Sequence, residues 1–205
     1  MMSHKSMKDI SPGALPEGMS QKAFDEHYNV LYKGYVNKYN EIQDLLEAAD
    51  LAGGNATYSQ IRELKREESF AANAIRLHES YFMTLGGDGR CSGKLLEWIG
   101  EDFGSFEHWA DEWRACAMSA RGWLVLAYDV SDGRLHNYTL DIHSDGVWNA
   151  VPLLVLDVYE HAYYLDFAAS GRKRYVESCF QAIDWTHVSR LVDELDLAKT
   201  RIAAA

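Results

Sequence analysis

The sequence predicts an α+β protein: a long N-terminal α-helical hairpin, then a C-terminal α/β domain built on a three-stranded antiparallel sheet. Three observations predict it. Apolar residues recur at helical spacing from Ser20 to about Leu85; the period shortens to that of strands at WLVLAYDV and RLHNYTLDI; and Ser131-Asp132-Gly133 between those segments is a hairpin turn. The division falls into residues 1–87 and 88–205.

In the first half, Phe24, His27, Tyr28, Leu31, Tyr35, Tyr39, Ile42 and Leu46 share one stripe, with Ser20 placed to cap the helix. Two glycines in LAGGNAT break it, and a second helix is expected from about Tyr58 to Leu85, stopping at Gly86-Gly87. Two long helices on a short connection pack antiparallel. KLLEWIGEDFG and SFEHWADEWRACAMSA are helical again, the second capped by Ser105. After the hairpin, VPLLVLDV is a short buried strand, and the chain from about Glu160 to Ala203 is helical with a break near Ser170-Gly171 and a weakly ordered Ala-rich end.

Composition narrows the function. With 47% hydrophobic and 25% charged residues the chain is an ordinary globular one, and no apolar run approaches the ~18–20 residues of a membrane span. A formal charge of -11 argues against nucleic acid, whose binding rests on clustered Lys and Arg. Cys91, Cys116 and Cys179 are odd in number and widely spaced, which fits reduced thiols and neither a disulfide framework nor a zinc knuckle. MMSHKSMKDISPGALPEG lacks the apolar core of a secretory signal, so a soluble, cytoplasmic protein is expected.

The chemistry lies in the eight histidines. His4, His108, His136 and His187 read as surface or packing residues. His27 sits on the apolar stripe of the first helix, and His78 in the most apolar part of the second. Asp157 and His161 leave a buried strand four residues apart in DVYEHAYYLDF. A buried imidazole needs a partner for its ring nitrogens, and either a hydrogen-bonding group or a metal supplies one. Three imidazoles and one carboxylate suit iron or manganese, where an all-oxygen set would suit magnesium and thiolates zinc. Spacing alone leaves both alternatives open.

DVYEHAYYLDF resembles the DxWEHAYY signature of the iron/manganese superoxide dismutases, and EHYNVLYKGYV, NAIRLHESYF, EDFGSFEHW and RGWLVL resemble that family's other motifs in the same order, from Ser20 to Trp185. The resemblance implies an enzyme that converts superoxide to dioxygen and hydrogen peroxide by alternating reduction and oxidation of a mononuclear metal ion. It implies His27, His78, Asp157 and His161 as ligands, Tyr35 at the substrate gateway, and Trp123, Phe82 and Tyr159 as site walls. It also implies Glu160 and Tyr164 at the interface of a homodimer or dimer of dimers, and Arg172 in a positive funnel for the anion.

The chain departs from the family pattern at several places. Leu31 stands where a gateway histidine is common, Tyr159 and Phe82 replace tryptophans, and Val125 replaces the second tryptophan of GWxW. The glutamine that bonds metal-bound solvent is Ala74 at one of its two usual places, and His143 stands at the other. His143 is therefore expected to act beside Tyr35 in proton supply. One iron per chain is expected, with manganese or either metal as the alternative. A rival reading is a dismutase-fold metal-binding protein with a structural or other redox role. A di-iron protein would need metal-ligating glutamates in ExxH spacing, which the chain lacks.

Overall fold

The computed structural model describes residues 4–201; the Ala-rich end lies outside the described residues. The first stripe folds as α1 (Gln21–Glu26), a π-helical segment (His27–Tyr32) and α2 (Lys33–Glu47). Ser20 caps α1, its hydroxyl accepting from the Ala23 N–H at 3.1 Å. One uninterrupted α-helix was expected; the wide turn at its centre is a difference that apolar spacing does not reveal. Turns of this kind concentrate at functional sites.

Helix α3 (Gln60–Met83) follows, capped by Ser59. Tyr35 lies against Phe70, Gln43 donates to Glu68 and the Asp50 N–H reaches Gln60, so contacts climbing one helix descend the other. The hairpin is antiparallel, as its short connection requires. Helices α4 (Gly93–Phe103) and α5 (Phe106–Ser119) come next, with Ser105 accepting from the His108 N–H.

The sheet has the order β2-β1-β3, both pairs antiparallel, from β1 (Trp123–Asp129), β2 (Arg134–Leu140) and β3 (Ala150–Asp157). Every residue of the central β1 is buried, as a strand covered on both faces must be. The register pairs Trp123 with Asp157 at the end of β3. That pairing sets a large aromatic beside the carboxylate, and α3 packs across the same strand. One buried cluster draws on both halves of the chain, from Phe24 and Phe82 to Leu126, Tyr175 and Trp185.

Helices α6 (Glu160–Phe167), α7 (Arg172–Gln181) and α8 (Trp185–Glu194) complete the fold. The break near Ser170-Gly171 was expected, whereas the one at residues 182–184 was not. It carries no glycine or proline because its cause is tertiary. The N–H groups of Gly86 and Gly87 both donate to Ala182 O, the Asp184 N–H donates to Thr84 O, and Leu85 bridges Ile183. A Cβ on Gly87 would lie 2.3 Å from Ile183 O and 2.4 Å from Asp184 Cα, both backbone atoms. Gly87→Ala should therefore destabilise the protein by about 1–3 kcal/mol, the range for overpacking, read as a lowered midpoint in denaturant at unchanged slope.

Candidate metal centre

Four elements deliver one side chain each to a common point. His27 begins the π turn, His78 lies in α3, Asp157 ends β3 and His161 is in the first turn of α6. One potential ligand atom from each lies within 4.8 Å of all the others. Asp157 and His78 are fully buried and His27 nearly so, while the His161 side chain keeps 29% of its surface. The Asp157 Oδ2 atom is the hub, 3.1 Å from His161 Nε2, 3.2 Å from His27 Nε2 and 3.7 Å from His78 Nε2.

The donor set fits a metal ion. His78 Nδ1 lies 2.7 Å from Ala74 O, and a carbonyl only accepts, so Nδ1 carries the proton and Nε2 keeps its lone pair. That Nε2 and the Nε2 of His27 are buried without a hydrogen-bond partner, the His27–Asp157 approach being badly angled for one. Orphaned buried nitrogens are rare, and a cation satisfies both while neutralising the carboxylate. Burial pushes the His78 pKa down to about 3, and lowers that of His27 against the pull of Asp157, so both imidazoles are neutral at pH 7, the form that can bind a metal. Burial also opposes ionisation of Asp157, but His161 and then His27 outweigh it and hold the carboxyl well below the usual range. Burial lowers the His161 pKa, but the charge of Asp157 and the hydrogen bond to it outweigh burial and shift it upward.

The carboxylate is tightly held. Asp157 Oδ1 accepts from the Tyr159 N–H at 2.9 Å, its backbone oxygen accepts from Tyr175 Oη at 2.7 Å, and Tyr175 in turn meets Tyr81 Oη at 3.0 Å. Nothing in the spacing of Tyr81 and Tyr175 marks them, since their partnership spans 94 positions and forms only in the fold.

The walls are aromatic. Trp123 packs edge-on against His78 at 4.9 Å, Phe82 against His27 at 5.0 Å, and Tyr159 stacks on His161 at 5.3 Å while its hydroxyl donates to Asp141 O. Val125, also in β1, is buried and Leu31 half-buried. Trp123 Nε1–H donates to His143 Nδ1 at 2.8 Å, and His143 Nε2 lies 2.9 Å from Tyr35 Oη. An indole only donates, so Nδ1 must accept. The neutral imidazole then carries its proton on Nε2 and donates it to the Tyr35 oxygen. Burial lowers the His143 pKa to about 4, which keeps that neutral form. Both ring nitrogens of His143 are engaged by protein groups, Nδ1 by Trp123 and Nε2 by Tyr35. Phe70, which sequence reading missed, stands edge-on to His143 at 4.7 Å and beside Tyr35.

Glu160 and Tyr164 are exposed on α6 beside His161. Arg172 donates to the backbone oxygens of Ala117 and Ala120 and caps the C-terminal end of α5. Of the histidines read as surface or packing residues, His4 pairs with Asp44, His136 with Asp132 and His187 with Arg190.

Comparison with known proteins agrees with this geometry. Residues 91–191 match the family model of the iron/manganese superoxide dismutases, C-terminal domain. A protein of Aquifex pyrophilus named as an iron superoxide dismutase is 42% identical, the alignment covering 84% of this chain and 84% of its own. A Cupriavidus metallidurans protein of the same name is 37% identical over 92% of this chain and 90% of its own. A Halobacterium salinarum protein named as a manganese superoxide dismutase is 33% identical over 84% and 86%. Identity of this extent, joined to four potential ligands meeting at one point, leaves one conclusion: the chain belongs to the iron/manganese superoxide dismutase family.

Proposed function

We propose that the protein is a superoxide dismutase, converting superoxide to dioxygen and hydrogen peroxide at the His27–His78–Asp157–His161 site. The observation that carries this reading is the meeting of those four donors next to a tyrosine whose hydrogen bonding is set by a buried histidine. When bound, the metal supplies one-electron chemistry, accepting an electron from one superoxide and passing one to another. The protein supplies the rest. The Asp157 carboxylate lowers the net charge of a bound cation, and three neutral imidazoles add none. The aromatic walls of Trp123, Phe82 and Tyr159 pack against the ligand imidazoles and limit their contact with solvent. Because His143 donates to the Tyr35 oxygen, the Tyr35 O–H keeps its own proton to give; burial, with Asp157 nearby, raises its pKa and keeps it protonated at neutral pH. Peroxide formation consumes protons, and Tyr35 is the tyrosine placed to relay them.

Iron is the preferred metal in this reading, supported by the 42% and 37% identity to proteins named as iron enzymes; manganese, alone or interchangeably, is the alternative. A homodimer, or a dimer of dimers, is supported by the exposure of Tyr164 at 56% and Leu165 at 51% beside the least buried ligand. The division into residues 1–87 and 88–205 is supported by the start of the family match at residue 91. No helix among the described residues is long and apolar enough to cross a membrane. The three free thiols fit a reducing, cytoplasmic setting.

Purified protein should consume superoxide well above the spontaneous rate, and lose that activity when its metal is removed by chelation under mild denaturation and not restored. Activity that survives complete metal removal would contradict the reading.

A further inference from the structure

The segment ahead of α1 is stitched to the metal centre in a way that the ligand set does not require. Glu79, the residue after ligand His78, is buried, and its two carboxylate oxygens are separately taken. Oε1 accepts from Tyr32 Oη at 2.9 Å, and Oε2 pairs with Lys8 Nζ at 2.7 Å. The Lys8 N–H donates to Tyr32 Oη at 3.0 Å, while Tyr28 Oη donates to Lys8 O and accepts from the Ile10 N–H at 3.2 Å. Tyr28 and Tyr32 both belong to the π turn that begins with ligand His27, and the Tyr32 ring lies over His78 at 6.4 Å and 22°.

A π turn is an uncommon, wide helical geometry that persists where surrounding structure holds it. Here the holding groups run from the turn, through Lys8, to the residue adjoining the second ligand. The Tyr32–Glu79 bond is buried while the Lys8 side chain stays half exposed, so the network ties a buried pair to the segment before α1, and linked hydrogen bonds of this kind restrain what they join. Ligand orientation by groups one layer out from the donor atoms is a general determinant of metal affinity.

We propose that Lys8, Tyr32 and Glu79 are positioning residues forming a brace that sets His27 relative to His78, so that the segment before α1 helps to hold the bound metal. This rests on the metal-site reading above.

The test uses the full chain loaded with iron. Lys8→Met, Glu79→Gln and Tyr32→Phe are made, with Lys8→Met/Glu79→Gln as the double variant. Release of iron to an excess chelator, the electron paramagnetic resonance signal of bound ferric iron, and the thermal midpoint of the metal-free protein are measured. The brace predicts release at least about 10-fold faster in each single variant, the scale for loss of a group that orients ligands. It further predicts a changed ferric signal, and a double variant little worse than the worse single one. Tyr32→Phe removes only a hydroxyl, so it keeps the test open should a charge variant fail to fold. Release within about twofold of the parent with an unchanged signal, or faster release that merely follows a lower metal-free midpoint at an unchanged signal, overturns the brace. A parent chain that takes up no iron or manganese overturns the dismutase reading itself, and the brace with it.

Discussion

Asp157→Asn should leave a folded chain that loses its metal: affinity is expected to fall by more than about 100-fold, beyond the range for groups that only orient ligands, and superoxide consumption with it. The reasoning is electrostatic. Asp157 is the only carboxylate in the ligand group, it is fully buried, and its Oδ2 lies within 4 Å of an Nε2 atom from each of the three histidines. Asparagine keeps the shape and can still accept from the Tyr159 N–H through its carbonyl, but it removes the negative charge that a buried cation needs. Metal content by elemental analysis, measured beside the circular dichroism of the same sample, separates loss of the site from loss of the fold. Asp157→Asn protein that retains about one ion per chain and parental turnover would remove Asp157 from the ligand set.

His143→Ala should reduce turnover by on the order of 10²-fold at nearly unchanged metal content, the lower end of what a positioned proton-transfer group contributes. Its effect comes through Tyr35, which loses the donor to its oxygen. Trp123→Phe tests the same wiring one step further out. It removes the N–H that fixes the imidazole tautomer and leaves Nδ1 free to carry the proton, so that Nε2 becomes an acceptor and Tyr35 must donate to it. The Tyr35 proton is then engaged, and turnover should fall again while the site keeps its metal. Rates with saturating superoxide generation and metal analysis together check both variants. If Trp123→Phe matched the parent in turnover while His143→Ala did not, His143 would be acting independently of its tautomer.

The four candidate donors stand out in the sequence because scarce polar residue types occupy places where packing would put apolar ones. His78 interrupts the apolar part of α3, and Asp157 with His161 leaves a buried strand. The helical hairpin and the sheet were readable through period and turn chemistry, with Ser20 and Ser105 each capping a helix through its hydroxyl. What escaped depends on groups far apart in sequence. The π turn leaves the apolar stripe intact. The break at residues 182–184 is imposed by the N–H groups of Gly86 and Gly87, and the Tyr81–Tyr175 support of Asp157 exists only after folding. The hydrogen bonding of His143 turns on an indole N–H from β1 that no local pattern encodes.

The most direct test of the central claim is reconstitution. Metal-free protein is titrated separately with ferrous iron and with manganous ion, and superoxide consumption is measured against metal bound. The account predicts a rate that rises from the uncatalysed baseline in proportion to bound metal and levels off at about one ion per chain, the single mononuclear site that the four donors describe, with iron the more active. Stoichiometric binding of both ions with no superoxide consumption at any loading would contradict it, and would mean a ligand set retained by a protein that performs a different task.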